Sequence, residues 1–385
     1  MRRSVYNEDH EAFRGTIRDF IAKEVSPVFH EWEQAGLVPR ELYYKLGDLG
    51  VFGIEVPEQF GGAGLDSYKY EAVIQEELAR AAVTFGASGI HTGLCLGYLK
   101  RYATEDQMRR WMPGFLSGDT MYAIAMTEPG AGSDLAGIKT SARLSEDGTH
   151  WILNGAKTFI TGGVHADRVL VVCRTSPAPA ENRRLGLSLL VVDAHAEGFA
   201  VGRKLEKIGL RTSDTAELSF SDVKVPVEDL LGEEGNAFSY LSENLVVERL
   251  FIGISATASA RAAIDFALEY TRQREVFGKS VASFQNTKFV LAECAAEVEA
   301  AQVMTDRALE LHDVGALTAA DAARLKLFTT EVAGRVIDKC LQLHGGYGYI
   351  LEYPIARLYA DTRVSRIYAG TNEVMKSVIA KDLGL

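Results

Sequence analysis

From Ala237 to His344 the chain has no proline and only four glycines, and it is rich in alanine. Proline and glycine are the residues that most oppose a helix. A stretch this long without them folds as several helices of around 20 residues or more, packed as a bundle. Residues 8 to 118 also read as helices. Phe13, Ile17, Phe20, Ile21 and Val25 recur at helical spacing, with Pro27 just beyond. The run Val56-Pro57-Glu58-Gln59-Phe60-Gly61-Gly62-Ala63-Gly64 interrupts them, and helices resume over 68–80 and 89–102.

Between these helical parts the pattern changes. Trp151-Ile152-Leu153 and Lys157-Thr158-Phe159-Ile160 read as strands on either side of Asn154-Gly155, a two-residue hairpin signal. Residues 169–172, 187–192 and 217–220 read as further strands, and Ser176 to Arg184, with two prolines, as a surface loop. At 385 residues the chain is too long for one ordinary core. The order is helical, β, helical, with expected domains at 1–119, 120–231 and 232–385, an α+β multidomain chain.

A net charge of −11 argues against non-specific nucleic-acid binding, which needs a positive footprint. A local basic pocket for an anionic ligand remains compatible with it. The cysteines Cys95, Cys173, Cys294 and Cys340 are scattered without paired spacing, which disfavours a metal site or a disulfide framework and fits reduced thiols in a cytoplasm. Met1-Arg2-Arg3 leads into polar residues, so no signal peptide is expected. No uninterrupted apolar stretch is long enough for a membrane span. Gly278-Lys279-Ser280 resembles the end of a P-loop, but Gln273 stands where the first glycine belongs. No Gly-x-Gly-x-x-Gly opens a β-α-β unit, which excludes a Rossmann dehydrogenase.

Tyr122-Ala-Ile-Ala-Met-Thr-Glu-Pro-Gly-Ala-Gly-Ser-Asp134 runs small apolar residues into a Gly-rich turn. Such a turn lets backbone N–H groups approach a ligand closely, and Thr127 and Ser133 add hydroxyls beside them. On its own the turn also reads as an ordinary surface loop. Arg272-Gln-Arg-Glu-Val-Phe-Gly-Lys279 with Phe284-Gln285 brings basic residues to a helix C-terminus that Gly278 would close. The guanidinium fork of Arg274 also suits a pyrophosphate. Gln342-Leu-His-Gly-Gly-Tyr-Gly348 ends a helix on glycines, and His344 reads as structural. Glu248 lies in an apolar helix, with Asn244, Leu245, Phe251 and Ile252 at three and four residues. A carboxylate on such a face has a raised pKa, which suits a general base, and a glutamate paired with an arginine from elsewhere fits the same pattern.

Taken together these segments resemble the acyl-CoA dehydrogenase family, and within it the long-chain type. The resemblance runs from Val56-Pro57-Glu58 to Asn372-Glu373 and includes Lys207-Ile-Gly-Leu210, Asp214-Thr-Ala-Glu217 and Glu352-Tyr-Pro-Ile-Ala356. It implies an N-terminal helical domain, a central β-barrel-like domain and a C-terminal four-helix bundle. It implies FAD bound at its ring end by Met126, Thr127, Gly132, Ser133, Phe159, Ile160 and Thr161. Arg274, Phe277, Phe284, Gln285, Gln342, Leu343, Gly345 and Gly346 would reach the FAD of a neighbouring subunit in a homotetramer, a dimer of dimers. The resemblance also implies Thr371 and Glu373 as further cofactor positions, and Ser133, Arg249 and Gly370 as substrate positions.

Many members of the family carry the catalytic glutamate where this chain has Ala369, in Tyr368-Ala-Gly-Thr371. The long-chain type takes its base from a Glu-Arg-Leu run, which Glu248-Arg249-Leu250 matches. The implied reaction is α,β-desaturation of an acyl-CoA, with Glu248 removing the α-proton and flavin N5 taking the β-hydride. A flavin ribityl hydroxyl and the Ala369 N–H would hold the thioester oxygen, and electrons would pass to an electron-transfer flavoprotein. An acyl-CoA oxidase or flavin N-hydroxylase on the same fold would give electrons to dioxygen through the same loops, although Glu248 favours α-proton abstraction. A non-catalytic flavoprotein binding module is disfavoured by Glu248 and by the acidic balance. Gly93 and Gly97, four apart in a helix that lines the family's acyl cavity, leave room either for an acyl chain or for close helix packing.

Overall fold

The computed structural model describes residues 3–179 and 181–385. Met1 and Arg2 of the polar start, and Ala180 of the Ser176–Arg184 loop, lie outside the described residues. The first part is helical: α1 (Glu8–Phe20), α2 (Phe29–Ala35), α3 (Glu41–Asp48), α4 (Lys69–Ala81), α5 (Ser88–Ile90), α6 (Leu96–Tyr102) and α7 (Glu105–Ser117). Ile17, Ile21 and Val25, read from their spacing, form its buried stripe. A π-helical segment, His91–Cys95, joins α5 to α6 into one rod. At the start of α7, Thr104 accepts from the Gln107 N–H while the Gln107 side chain accepts from the Thr104 N–H, which fixes that N-terminus.

The strands β1 (Tyr122–Ala125), β2 (Ser141–Leu144), β3 (His150–Thr161), β4 (Arg168–Arg174), β5 (Leu187–Asp193), β6 (Phe199–Lys204), β7 (Thr215–Pro226) and β8 (Leu230–Leu231) form one sheet, ordered β6-β7-β3-β2-β4-β5-β8. β1 and β2 both pair in parallel with β4, one along Arg168–Val171 and the other at Arg174. The chain therefore leaves the sheet after Ala125 and returns at Ser141, which sets the Gly-rich run outside it. Both faces of β4 are covered. Val169, Val171 and Cys173 point into the sheet's own core, and Leu170 and Val172 pack with the N-terminal helices. That double burial explains why 169–172 reads as an unbroken apolar run.

The hairpin expected at Asn154-Gly155 is absent. β3 runs straight through it, paired antiparallel to β7, with register shifts between Leu153 and Gly155 and between Lys157 and Ile160. The turn signal is consumed across the sheet. Asn154 donates to the Asp222 carboxylate and accepts from the Asp222 N–H, both at 2.9 Å. Gly155 adopts φ +147°, and a Cβ there would meet Thr140 Oγ1 at 2.5 Å. The Asn-Gly pair makes a bulge, not a turn.

The last part contains α8 (Ala237–Gln273), the short strands β9 (Glu275–Val276) and β10 (Lys279–Ser280), then α9 (Gln285–Asp313), α10 (Ala319–Leu343), α11 (Pro354–Thr362) and α12 (Asn372–Asp382). α8 is long and apolar enough to cross a membrane, but 67% of its most apolar stretch is buried in the protein. It packs closely on α10 because Gly253 leaves room for Leu325, which a Cβ would meet at 2.7 Å. Gly278 does not close α8 as a helix cap would. The helix ends at Gln273, and Phe277-Gly278, at φ +51° and +75°, form the tight turn between β9 and β10.

Candidate active site

The loop between β1 and β2 is built on a buried ion pair. Glu128 and Ala131 exchange backbone hydrogen bonds of 2.8 and 3.1 Å, closing the turn. The Glu128 carboxylate accepts from the N–H groups of Lys139 (2.7 Å) and Thr140 (2.9 Å) and from Lys157 Nζ (2.9 Å). Lys157 Nζ also reaches the Met126 carbonyl at 2.9 Å. The Thr127 carbonyl accepts from the Thr158 N–H at 2.9 Å, which ties the loop to β3. With its root fixed, the loop presents Gly132 and Ser133 to solvent, while Met126 and Thr127 are half-buried.

At the second irregularity of β3 the alternation of faces flips. Ile160 turns into the sheet core, so only its backbone can meet a ligand. Phe159 turns out at φ +60°, 67% exposed, with half-buried Thr161 following. A left-handed conformation costs a non-glycine residue roughly 1 kcal/mol or more, and an exposed phenyl ring returns nothing in water. An outward ring beside a rigid glycine-rich turn and a hydroxyl fits a flat aromatic ligand with polar edges, as a flavin is.

The other positions expected to meet the cofactor lie at the far end of α8 and the end of α10. Arg274 lies over the Tyr347 ring, 5.7 Å from its centroid, and Lys279 Nζ lies 4.6 Å from that of Phe284. Phe277, at the hairpin tip, is 94% exposed. Gln285, Gln342, Gly345 and Gly346 are exposed and Leu343 is half-buried. His344 is structural, as read: it bonds the Cys340 carbonyl (2.8 Å) and stacks on Tyr270.

Glu248 lies on α8 where α4 and the α5–α6 rod pack against it. It is 6% exposed and makes no ion pair among the described residues. Burial pushes its carboxyl up to about 7; the hydrogen bond from Tyr98 (3.1 Å) and the charge of Arg249 oppose the rise. Arg249 is buried as well, with its Nε unpartnered, and burial lowers its pKa. A second buried cation follows. Lys326 of α10 is held down to about 8 by burial and then by Arg249. Its Nζ donates to the Gly370 carbonyl at 2.8 Å and to Asn372 Oδ1 at 3.3 Å. Ala369 and Gly370 there form a turn at φ +50° and +86°. Thr371 caps α12 through the Val374 N–H, and Glu373 is exposed in its first turn. Glu248 and the Ala369 turn, far apart in sequence, are thus linked through Arg249 and Lys326. Two buried cations beside this turn make a place suited to an anion.

Family models match the chain in three successive pieces: the acyl-CoA dehydrogenase N-terminal domain over 7–119, the middle domain over 123–223 and the C-terminal domain over 235–384. The chain belongs to the acyl-CoA dehydrogenase family. The mitochondrial long-chain specific acyl-CoA dehydrogenase of Sus scrofa is 42% identical over 381 residues, covering 99% of this chain and 88% of that protein. An acyl-CoA dehydrogenase structure from Geobacillus kaustophilus superposes with a TM-score of 0.94 at 45% identity, covering 99% of both chains. One from Bacillus anthracis complexed with FAD superposes at 0.89 with 31% identity, over 98% of this chain and 67% of that one. The three-domain acyl-CoA dehydrogenase fold is therefore established, and the chain is an FAD-dependent oxidoreductase acting on acyl-CoA thioesters.

Sequence reasoning missed Tyr98, Lys326 and the Glu128–Lys157 pair. A signal existed for Lys326, a lone cation among Ala322, Ala323, Leu325, Thr329 and Thr330 on a helix face. Lys157 likewise shares the inward parity of Trp151 and Leu153. The two glycines expected to make acyl space differ in their surroundings. A Cβ on Gly93 would meet the Phe251 ring and Tyr68 Oη at 3.2 Å, and one on Gly97 would meet Asn244 Oδ1 at 3.2 Å. Close packing accounts for Gly93, whereas at Gly97 a single side-chain atom is met and both readings fit.

Proposed function

We propose that this acyl-CoA dehydrogenase desaturates its substrate at the α,β bond with Glu248 as the base. The observation that carries the reading is the state of Glu248: a carboxyl buried without an ion pair, raised to about 7, on the helix whose next residue is a buried, unpartnered arginine. A carboxylate poised near neutral pH is matched to removing a weakly acidic proton. The α C–H bond breaks toward Glu248, and its electron pair becomes the new C=C bond as the β-hydride departs. FAD, when bound, accepts that hydride. The Ala369 N–H donates to the thioester oxygen as negative charge gathers there, Lys326 favours that charge from behind the turn, and Arg249 favours it from α8. Ala369 has no carboxylate to offer, so the turn serves as oxyanion donor while the base comes from α8.

In this reading Met126, Thr127, Gly132, Ser133, Phe159 and Thr161 hold the ring end of FAD. Arg274, Phe277, Phe284, Gln285, Gln342, Leu343, Gly345 and Gly346 hold the FAD of a neighbouring subunit, and Thr371 and Glu373 also face the cofactor. Exposed Phe277, Tyr349 (90%) and Ile208 (78%) suit a homotetramer in which they are covered. Ser133, Arg249 and Gly370 contact the substrate, electrons pass to an electron-transfer flavoprotein, and the enzyme works in the cytoplasm. The test is Glu248→Gln in FAD-loaded protein, mixed anaerobically with acyl-CoA. Flavin bleaching should slow at least ~100-fold while FAD stays bound. Bleaching near the unmodified rate would transfer the base role to another residue.

A further inference from the structure

The Glu248 carboxyl is enclosed by groups from three directions. Tyr98 of α6 donates its hydroxyl to Oε1 at 3.1 Å. Tyr68, at the start of α4, and Cys95, in the π-helical segment, face the same charge, as does Arg249 on α8 itself. Of these only Tyr98 makes a hydrogen bond to Glu248 among the described residues. Oε2 accepts none. Tyr98 is itself fully buried, and the rod that carries it is pinned by the Tyr68 hydroxyl, which donates to the Gly93 carbonyl at 3.1 Å.

We propose that Tyr98 is a positioning residue for proton abstraction: its hydroxyl holds Oε1 and leaves Oε2 to receive the α-proton. The proposal rests on Glu248 as the base. A carboxylate on a flexible stem can present either oxygen in many orientations, and a donor fixed on one oxygen selects the plane in which the other points. The hydroxyl also stabilises the ionised carboxylate in a place where burial favours the neutral acid. Tyr68 is committed to Gly93, Cys95 is a weak donor, and Arg249 makes no contact of ion-pair length with Glu248, so none of them substitutes for Tyr98.

The experiment is Tyr98→Phe in FAD-loaded enzyme, with rapid mixing against acyl-CoA across pH and Glu248→Gln measured in parallel. Phe keeps the ring and removes only the donor. The acid limb of flavin reduction should move up by about one pH unit or more, and the rate well below the limb should fall by about tenfold or more. A limb unmoved in Tyr98→Phe while Glu248→Gln is inactive overturns the role of Tyr98 alone. A Glu248→Gln variant that still bleaches overturns the base assignment, and the Tyr98 proposal falls with it. Should Tyr98→Phe yield no holoenzyme, the double variant Tyr98→Phe/Glu248→Gln decides. Recovery of flavin-loaded protein supports an unpaired buried carboxylate as the cause. Continued failure reduces Tyr98 to packing and overturns the proposal.

Discussion

Removing Glu128 should harm this enzyme more than removing Glu128 and Lys157 together. Lys157's side chain is wholly buried and Glu128's is 7% exposed. Glu128→Ala leaves the ammonium with one remaining acceptor, the Met126 carbonyl, and strips the Lys139 and Thr140 N–H groups of theirs. Breaking a buried pair from one side costs about 3–5 kcal/mol, chiefly as the penalty of the stranded charge. Replacing Lys157 by Met as well removes that charge and keeps the volume. The double variant Glu128→Ala/Lys157→Met should therefore regain at least ~1 kcal/mol over Glu128→Ala, although it carries one more substitution. The assay is urea unfolding at fixed protein and FAD concentration, since both ligand and assembly shift the midpoint, with flavin release followed beside it. Because the pair roots the 127–134 turn, flavin release should precede global unfolding in Glu128→Ala. Losses that simply add in the double variant would refute the account of a stranded charge.

Folding disfavours the ionised form of Glu248, whose carboxyl rises from the ordinary 4.5 to about 7. Stability that is fully present below the ordinary value is thus lost as pH climbs through 7, by at most about 3 kcal/mol. Glu248→Gln holoenzyme should melt above the unmodified protein at about pH 8.5 with a smaller advantage near pH 5, and an equal advantage at both would remove ionisation as the cause. Lys326→Met should lower flavin reduction by about tenfold with FAD occupancy kept, because the Gly370 carbonyl loses its charged donor; rates equal to the unmodified enzyme would detach Lys326 from the turn. Gly97→Leu should depress activity on short and long acyl-CoAs alike, since the new side chain meets Asn244. Selective loss of long substrates would decide for the acyl-space reading.

The three-part order was legible because its signals are long: a helix stripe from Phe13 to Val25, apolar strand runs, and a proline-free stretch of helices. Glu248 was legible through the Glu248-Arg249-Leu250 run that the family resemblance carries; its neighbours Leu245, Phe251 and Ile252 suit a raised carboxyl but fit a glutamate paired with an arginine equally well. The Asn154-Gly155 hairpin was misread because a local turn signal says nothing of Asp222, which lies 68 residues on and completes the bulge. Strand β1 was hidden inside a run that draws attention as a loop. Tyr98 and Lys326 escaped because each acts through a partner on another element, Glu248 and Gly370, and such pairings leave no periodicity in the chain.

The π-helical segment His91–Cys95 also bears on how chain length can vary here. A π-bulge is an α-helix that has absorbed one extra residue, so the phase on either side of it is already what a shorter, regular helix would have. Loss of half-buried Leu94 would let the rod close up as ordinary α-helix, with Tyr98 still turned toward Glu248. Loss of one residue between 96 and 98 would instead rotate everything that follows by about 100° and carry the hydroxyl off the carboxylate. The same rod thus contains a place that tolerates a one-residue deletion and, a turn later, a place that does not.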